Sequence, residues 1–260
     1  MNSLRRLGVF FACCLAWTQA LAQKSIEDSS ITFAQLGIVY GGAVPGGDLA
    51  DRFGYSSTVG GEVGLKLRNR FFAQVGCRFL FGNQVKEEIA GNITSLQGTI
   101  ETGFTPMAIG TDGRWYEVRV YQRGLVIPLQ FGYVLPILGK NPNSGVYVEA
   151  GGQFLLHNVR IEVPGNAVPG LYGDYSKGYD RLASGFGTTQ GIGYRLHNNQ
   201  RLINFIAGFE FSQNFTQGRR DFQFDTGLPN KDKRLDLMWG FKVAWVFPIY
   251  QAAPEDVYYY

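Results

Sequence analysis

The sequence predicts an all-β fold, namely an eight-stranded antiparallel up-and-down transmembrane β-barrel. Three observations predict it: apolar and polar residues alternate in eight segments, short connectors take turns with long ones, and the polar faces are largely glycine and isolated charges. Strict alternation indicates a strand with two unlike faces. Each segment has about ten residues or more, which is the length that a tilted membrane strand needs.

The composition also favours a barrel over a soluble enzyme. The 260 residues suit one large β-domain, and their charged fraction of 17% is low. Typical soluble domains carry about 25% charged residues. The 35 glycines and the aromatic fraction of 15% fit closely spaced strands with many aromatic anchors.

The first 22 residues have the pattern of a secretory signal peptide. Arg5 and Arg6 precede an apolar run, which ends before an Ala-x-Ala site at Ala20 and Ala22. Cleavage after Ala22 would leave 22 basic and 21 acidic residues, so no basic excess indicates nucleic acid as a partner. Cys77 would then be the remaining cysteine, which excludes an intrachain disulfide.

The predicted barrel occupies residues 23–250, and a tail covers residues 251–260. In the third segment, for example, Phe71 and Phe79 are on one face of the predicted strand and Arg78 is on the other. The sixth segment is the weakest because Gln190 falls on its apolar side. The eight segments are residues 31–40, 55–67, 71–81, 124–135, 146–157, 185–196, 202–215 and 235–247.

The connectors between these segments alternate in length. The links after the second, fourth and sixth segments are short and the others are long, with the longest running from Gly82 to about Arg123. Short turns at one end and long loops at the other are typical of outer-membrane barrels. An even number of strands places both termini on the periplasmic, short-turn side.

If the apolar faces meet lipid, the charged residues of the polar faces line the lumen. An eight-stranded barrel has room there for side chains but not for a wide channel. Buried ions must be paired, so the three acids and three bases predict a charge network that plugs the barrel. The alternative is a narrow, gated ion path. The predicted network consists of Glu62, Lys66, Arg78, Glu149, Glu210 and Lys242.

The signal peptide, the eight strands, the stretch "GLVIPLQFGYVLPI" followed by "GVYVEAGGQFLL", and the aromatic last strand together carry a resemblance. Over about residues 30–250 the chain resembles the small outer-membrane β-barrels of the OmpA/OmpX type. It is most similar to the porin-like barrels common in Bacteroidota, which include PorT-type secretion-associated proteins. The resemblance implies a fold and a place in the bacterial outer membrane much more than an activity.

The last strand resembles the assembly signal of such barrels through Gly240, Val243, Trp245 and Phe247. The barrel assembly machinery is therefore an expected partner. Pro248 is predicted to stop the strand near the periplasmic boundary. The tail that follows ends in tyrosines, which predict either an interfacial anchor or a recognition tag for the assembly machinery or a periplasmic partner. These tyrosines are Tyr258, Tyr259 and Tyr260.

The residues favour no catalytic, metal or cofactor site. His157 and His197 are expected at opposite ends of the barrel, with His197 in a periplasmic turn, so they could not share a metal. His157 could meet Ser176 or Asp174 in one loop, but no nucleophile motif accompanies them.

We therefore predict a non-enzymatic integral outer-membrane protein with a structural or interaction role. Its expected partners are outer-membrane lipid, the assembly machinery and an envelope or secretion protein. The tyrosine-containing loops at residues 172–182 and 217–234 have the composition of adaptable binding loops. The alternative function is a narrow channel for ions or small solutes.

Overall fold

The computed structural model describes residues 29–87, 96–97, 107–198, 204–224 and 226–250. The predicted signal peptide and the tyrosine-ended tail lie outside these ranges. The described chain contains one short α-helix, α1 at Asp48–Arg52. Its strands are β1 Phe33–Gly47, β2 Ser56–Lys66, β3 Phe71–Gly82, β4 Leu96–Gln97, β5 Met107–Ile109, β6 Trp115–Glu117, β7 Arg119–Leu135, β8 Gly145–Glu162, β9 Ala183–His197, β10 Asn204–Gly218 and β11 Lys233–Tyr250.

Eight of these strands close into one antiparallel barrel. Their order around the barrel is β1, β2, β3, β7, β8, β9, β10 and β11, and β11 pairs with β1 to close the ring. Consecutive barrel strands are neighbours throughout, which is the up-and-down topology. The predicted fold class is therefore confirmed, and closure leaves the long strands without a free edge.

The two ends of the barrel differ. One end, called here the short-turn end, carries the connections from β2 to β3, from β7 to β8 and from β9 to β10. The opposite end, called the loop end, carries α1 and the long connections that follow β3, β8 and β10. The predicted alternation of connectors matches this arrangement.

The loop end is folded rather than open. Leu49 and Phe53, in and just after α1, pack against Leu80, Leu155 and Met238 in the mouth of the barrel. The strands β4, β5 and β6 form a separate three-stranded sheet. A second apolar cluster joins the connections after β3 and β8, and its members are Ala108, Val118, Val168 and Leu171. We call the connections after β1, β3, β8 and β10, which meet at this end of the barrel, the loop cap.

The prediction that Pro248 stops the last strand is wrong. β11 continues to Tyr250, and Pro248 pairs with Gln35 of β1. A proline lacks an N–H donor and so removes one bond from the ladder, but the pairs of β1 with β11 on both sides of Pro248 carry the strand past it.

No helix in the described residues is long and apolar enough to cross a membrane.

Candidate functional site

The barrel strands are sorted into an apolar outer face and a polar inner face. Phe209 points outward with 71% of its surface exposed, and Trp239 and Trp245 also lie on the outside. Glu62 and Lys242 point inward and are only 4% and 0% exposed. Charges enclosed by the ring and aromatic residues around it are the reverse of a soluble β-sandwich.

Five of the six charged residues named from the sequence meet in the middle of the lumen. Lys242 lies at the centre, with its Nζ 2.6 Å from Glu149 Oε1 and 3.1 Å from Glu210 Oε1. Arg78 Nη1 is 2.7 Å from Glu210 Oε2, and Arg78 Nη2 is 3.6 Å from Glu62 Oε2. These contacts join β2, β3, β8, β10 and β11 across the barrel, and we call them the lumen network.

Lys66 differs from the prediction because it lies apart from this network. It is the last residue of β2, four residues beyond Glu62, which corresponds to about 13 Å along a strand. Its Nζ donates to Asn143 Oδ1 at 2.8 Å and to Ser30 Oγ at 3.0 Å, near the short-turn end. Within the described residues no carboxylate comes within ion-pair distance of Lys66.

The third lumen cation is Arg195 of β9, which the sequence reasoning missed. Its Nη2 donates to Gln74 Oε1 at 2.6 Å, and Gln74 Nε2 donates in turn to Glu149 Oε2 at 3.1 Å. The guanidinium stacks 3.6 Å from the centre of the Phe72 ring. Arg195 has the same inward parity as Gly191 in that strand, so the parity of this weak segment was the available signal.

Glycines on the inner face make room for the large lumen side chains. A Cβ at Gly191 would lie 2.9 Å from Glu149 Oε1, and a Cβ at Gly208 would lie 2.5 Å from the Tyr147 hydroxyl. These separations are far below van der Waals contact. The mixture of glycine and charge on the polar faces therefore reflects packing of one strand's charge against the bare backbone of another.

Further layers fill the lumen on both sides of the network. Toward the loop end, Gln153 donates to Asn214 at 2.7 Å, and His157 Nε2 lies 2.9 Å from Asp236 Oδ2 beside the apolar residues of the mouth. Toward the short-turn end, an apolar layer includes Phe72 and Tyr147. The lumen cavity beside Arg78 and Glu210 measures about 50 Å³, which is space for a few water molecules.

The structure does not assemble the hydrolase constellation. His157 is buried against Asp236, whereas the Ser176 hydroxyl donates to the Gly173 carbonyl and Asp174 pairs with Lys177 at the surface. His197 is also buried, at the end of β9 rather than in an exposed turn. Among the described residues no group of three or more His, Cys, Asp or Glu side chains is placed to hold a metal ion.

The residues of the expected assembly signal occupy both faces of β11. Val243, Trp245 and Phe247 point outward, and the Trp245 and Phe247 rings lie 4.8 Å apart. Gly240 faces inward, where a Cβ would collide with the Gly42 carbonyl oxygen. Their role in assembly stays a prediction.

A closed ring, an apolar exterior and a charged, filled interior define the class of protein: a small transmembrane β-barrel. Among solved structures, the chain is similar to the N-terminal β-barrel domain of Pseudomonas aeruginosa OprF, with 12% identity, 82% of this chain and 97% of that chain covered, and a TM-score of 0.36. It is also similar to Ail, the attachment invasion locus protein of Yersinia pestis, with 8% identity, coverages of 84% and 99%, and a TM-score of 0.38.

A third similar structure is a major outer membrane protein from Thermus thermophilus, with 10% identity, coverages of 82% and 99%, and a TM-score of 0.39. No protein-family model matches the chain, and no curated protein matches it either. The finer likeness to PorT-type barrels of Bacteroidota therefore stays a prediction from the sequence.

Proposed function

We propose that the chain is a non-enzymatic integral protein of the bacterial outer membrane, a sealed barrel that presents its loop cap to a partner in the cell envelope. The observation that carries this proposal is the lumen network. Lys242, Glu149, Glu210 and Arg78 tie strands together across the barrel at distances of 2.6 to 3.1 Å. A lumen filled in this way supports a structural or interaction role.

The loop cap is the surface best suited to a partner. Its loops are held together before any partner arrives, because Arg220 forms two hydrogen bonds with Asp180 and the Phe224 N–H donates to the Gly178 carbonyl at 3.0 Å. Tyr172 and Phe222 are exposed on the same loops. Rigid aromatic anchors on a prearranged surface are favourable for binding.

Conductance of the purified protein in planar bilayers tests the sealed barrel. We expect no steady current above that of the bare membrane. The alternative, a narrow ion path, is favoured by the small cavity beside Arg78 and Glu210. If steady channels appear in the wild type and disappear in Glu210→Gln, the sealed barrel is refuted and the ion path is supported.

A photo-crosslinking residue tests the partner surface in intact outer membranes. Placed at Tyr172 or Phe222, it should form one discrete adduct with an envelope or secretion protein. The matched control carries the same crosslinking residue at Phe131, which is exposed on the outer wall of the barrel. Adducts that are equal at the loop and wall positions would argue against the loop cap as the docking surface.

The assembly signal and the tail need separate tests, because the tail lies outside the described residues. We expect Phe247→Ser to slow insertion by the barrel assembly machinery, since it removes an aromatic from the outer face of the last strand. Deletion of residues 251–260 should leave insertion unchanged if the tyrosines only anchor the tail at the interface. Loss of insertion or of a crosslinked partner would support a recognition tag.

A further inference from the structure

Two rows of outward side chains run across β9, β10 and β11 at the loop end. In the row nearer the barrel middle, Phe215 pairs with Phe186 on one side and with Leu235 on the other. Two residues further along the strands toward the loop end, which is about 7 Å, Gln217 pairs with Ser184 and with Lys233. Phe186 and Phe215 are 73% and 65% exposed, so an apolar row adjoins a polar one.

A groove of about 710 Å³ follows these rows. Arg219 lines it just past the end of β10 and is held in place by Ser184, with Nε 2.8 Å from Ser184 Oγ and Nη2 3.2 Å from the Ser184 carbonyl oxygen. Lys233 lines the groove from β11. In the described part of the chain, neither of these two cations forms an ion pair.

The remaining charged groups of the groove leave it positive. Asp48 lines it as well, and its Oδ2 accepts the Leu235 N–H at 2.6 Å. Arg234 is also in the lining and lies 3.8 Å from Asp232. On the part of the rim formed by β7 and β8 the situation differs, because Arg119 and Arg160 are neutralised by Glu117 and Glu162 at 2.7 and 2.8 Å.

We infer that this groove binds one phosphate-bearing lipid of the surrounding leaflet. The headgroup anion lies against Arg219 and Lys233, and an acyl chain runs along Phe186, Phe215 and Leu235. Charge complementarity carries the assignment: a guanidinium held in place by Ser184 of the neighbouring strand suits a phosphate, and the apolar row begins one step along the strands toward the barrel middle. The inference rests on the proposed membrane location, since a lipid reaches this face only in a bilayer.

Native mass spectrometry of the refolded full chain tests the site with three probes. These are phosphatidylglycerol, phosphatidylcholine with the same chains, and inorganic phosphate. We expect the wild type to retain one phosphatidylglycerol in preference to phosphatidylcholine. In the double variant Arg219→Gln and Lys233→Gln, the affinity for phosphatidylglycerol should fall about tenfold, to the level of phosphatidylcholine.

The matched control is the double variant Arg119→Gln and Arg160→Gln, which removes the same formal charge from the paired side of the rim. It should keep the preference for phosphatidylglycerol. Equal losses in the two double variants, or unchanged retention in the first, would overturn the site. Binding of inorganic phosphate that displaces the lipid would identify a free-anion site instead.

Insertion of the wild type and of each variant into bilayers is measured by the shift in gel mobility on heating. This measurement separates the groove inference from the proposed function. A protein that inserts normally but shows no lipid preference refutes only the groove. A wild type that does not insert refutes the membrane role itself. The variant Phe186→Ser provides an independent measurement. It should lower the affinity for both phospholipids and leave the ratio of the two affinities unchanged.

Discussion

Neighbouring residues of β11 experience opposite environments. Lys242 is fully buried in the lumen between two carboxylates, whereas Phe241 and Val243 on either side of it are exposed on the outer wall. One step along the backbone therefore exchanges an enclosed ionic environment for an apolar one. The same alternation holds in β3, where Arg78 adjoins the outward Phe79.

This difference shows that two separate physical rules govern the two faces. Inside, an ion is tolerated because partners of opposite charge offset its lost hydration. Outside, the middle of the wall must avoid charge because acyl chains offer no partner to an ion. A substitution is therefore harmful for opposite reasons at adjacent positions, and each reason can be tested separately.

The largest effect is expected from Lys242→Met. The substitution leaves Glu149 and Glu210 buried without their shared cation, and loss of one partner from a buried ion pair costs about 3–5 kcal/mol. The free energy of unfolding in urea, measured in lipid vesicles, should fall by about that amount.

The double variant Lys242→Met with Glu149→Gln supplies the control. Neutralising the stranded carboxylate should recover part of the lost stability, since Glu210 still has Arg78 at 2.7 Å. If the single variant proved as stable as the wild type, charge pairing would not hold the lumen together.

A smaller effect, from the other face, is expected for Phe241→Lys. A lysine on the lipid face costs about 2–4 kcal/mol near the bilayer midplane, so unfolding in vesicles should become easier by up to this amount. Phe222→Lys is the matched variant, because Phe222 is exposed on a loop and should tolerate charge. Equal stability of the two variants would mean that the wall does not face lipid.

The eight strands could be predicted from the sequence because lumen and lipid impose opposite demands on alternate residues. Phe79 beside Arg78, or Phe241 beside Lys242, records that demand directly. The barrel followed from the order of short and long connectors, and the even strand count predicted that both termini lie at the same end. The inward direction of Glu62, Glu149 and Glu210 followed from the same parity.

Distances between strands could not be predicted in this way. Lys66 and Arg195 both point inward by parity, and each lies four residues from the row of a network glutamate. Only Arg195 reaches the network, through its hydrogen bond to Gln74, because parity does not fix the direction in which a long side chain extends along the lumen. The pairing of His157 with Asp236 joins residues 79 positions apart and depends on the stagger of the strands, which the sequence does not show. Pro248 was misjudged because its pairing with Gln35 of β1 depends on a register that the sequence does not show.

Gly132→Ala tests the packing of the inner face and should have an intermediate effect. A Cβ there would collide with the Phe72 ring and with the Val148 carbonyl oxygen, and the backbone cannot easily move. Overpacking of this kind costs about 1–3 kcal/mol. Gly170→Ala is the control, since nothing lies within 4 Å of the added carbon. Unfolding measurements that cannot tell the two variants apart would contradict the tight inner packing.

The smallest effect is expected where an ion pair of the same length lies in water. Lys177 Nζ is 2.6 Å from Asp174 Oδ1, as close as Lys242 is to Glu149, but the two side chains are 59% and 91% exposed. The hydrogen bond and the charge of Lys177 hold the pKa of the Asp174 carboxyl below its ordinary value. Such a pair stabilises the fold above the unfolded pKa, and the contribution disappears as the pH falls through the folded one.

In Lys177→Ala the pKa of Asp174 should rise toward its ordinary value, which a carboxyl NMR titration measures. The free energy of unfolding should not change measurably, because water screens exposed pairs. A loss as large as that of Lys242→Met would show that distance, rather than enclosure by the barrel, determines the strength of the pair. An unaltered pKa would show that Lys177 does not act on Asp174 in solution.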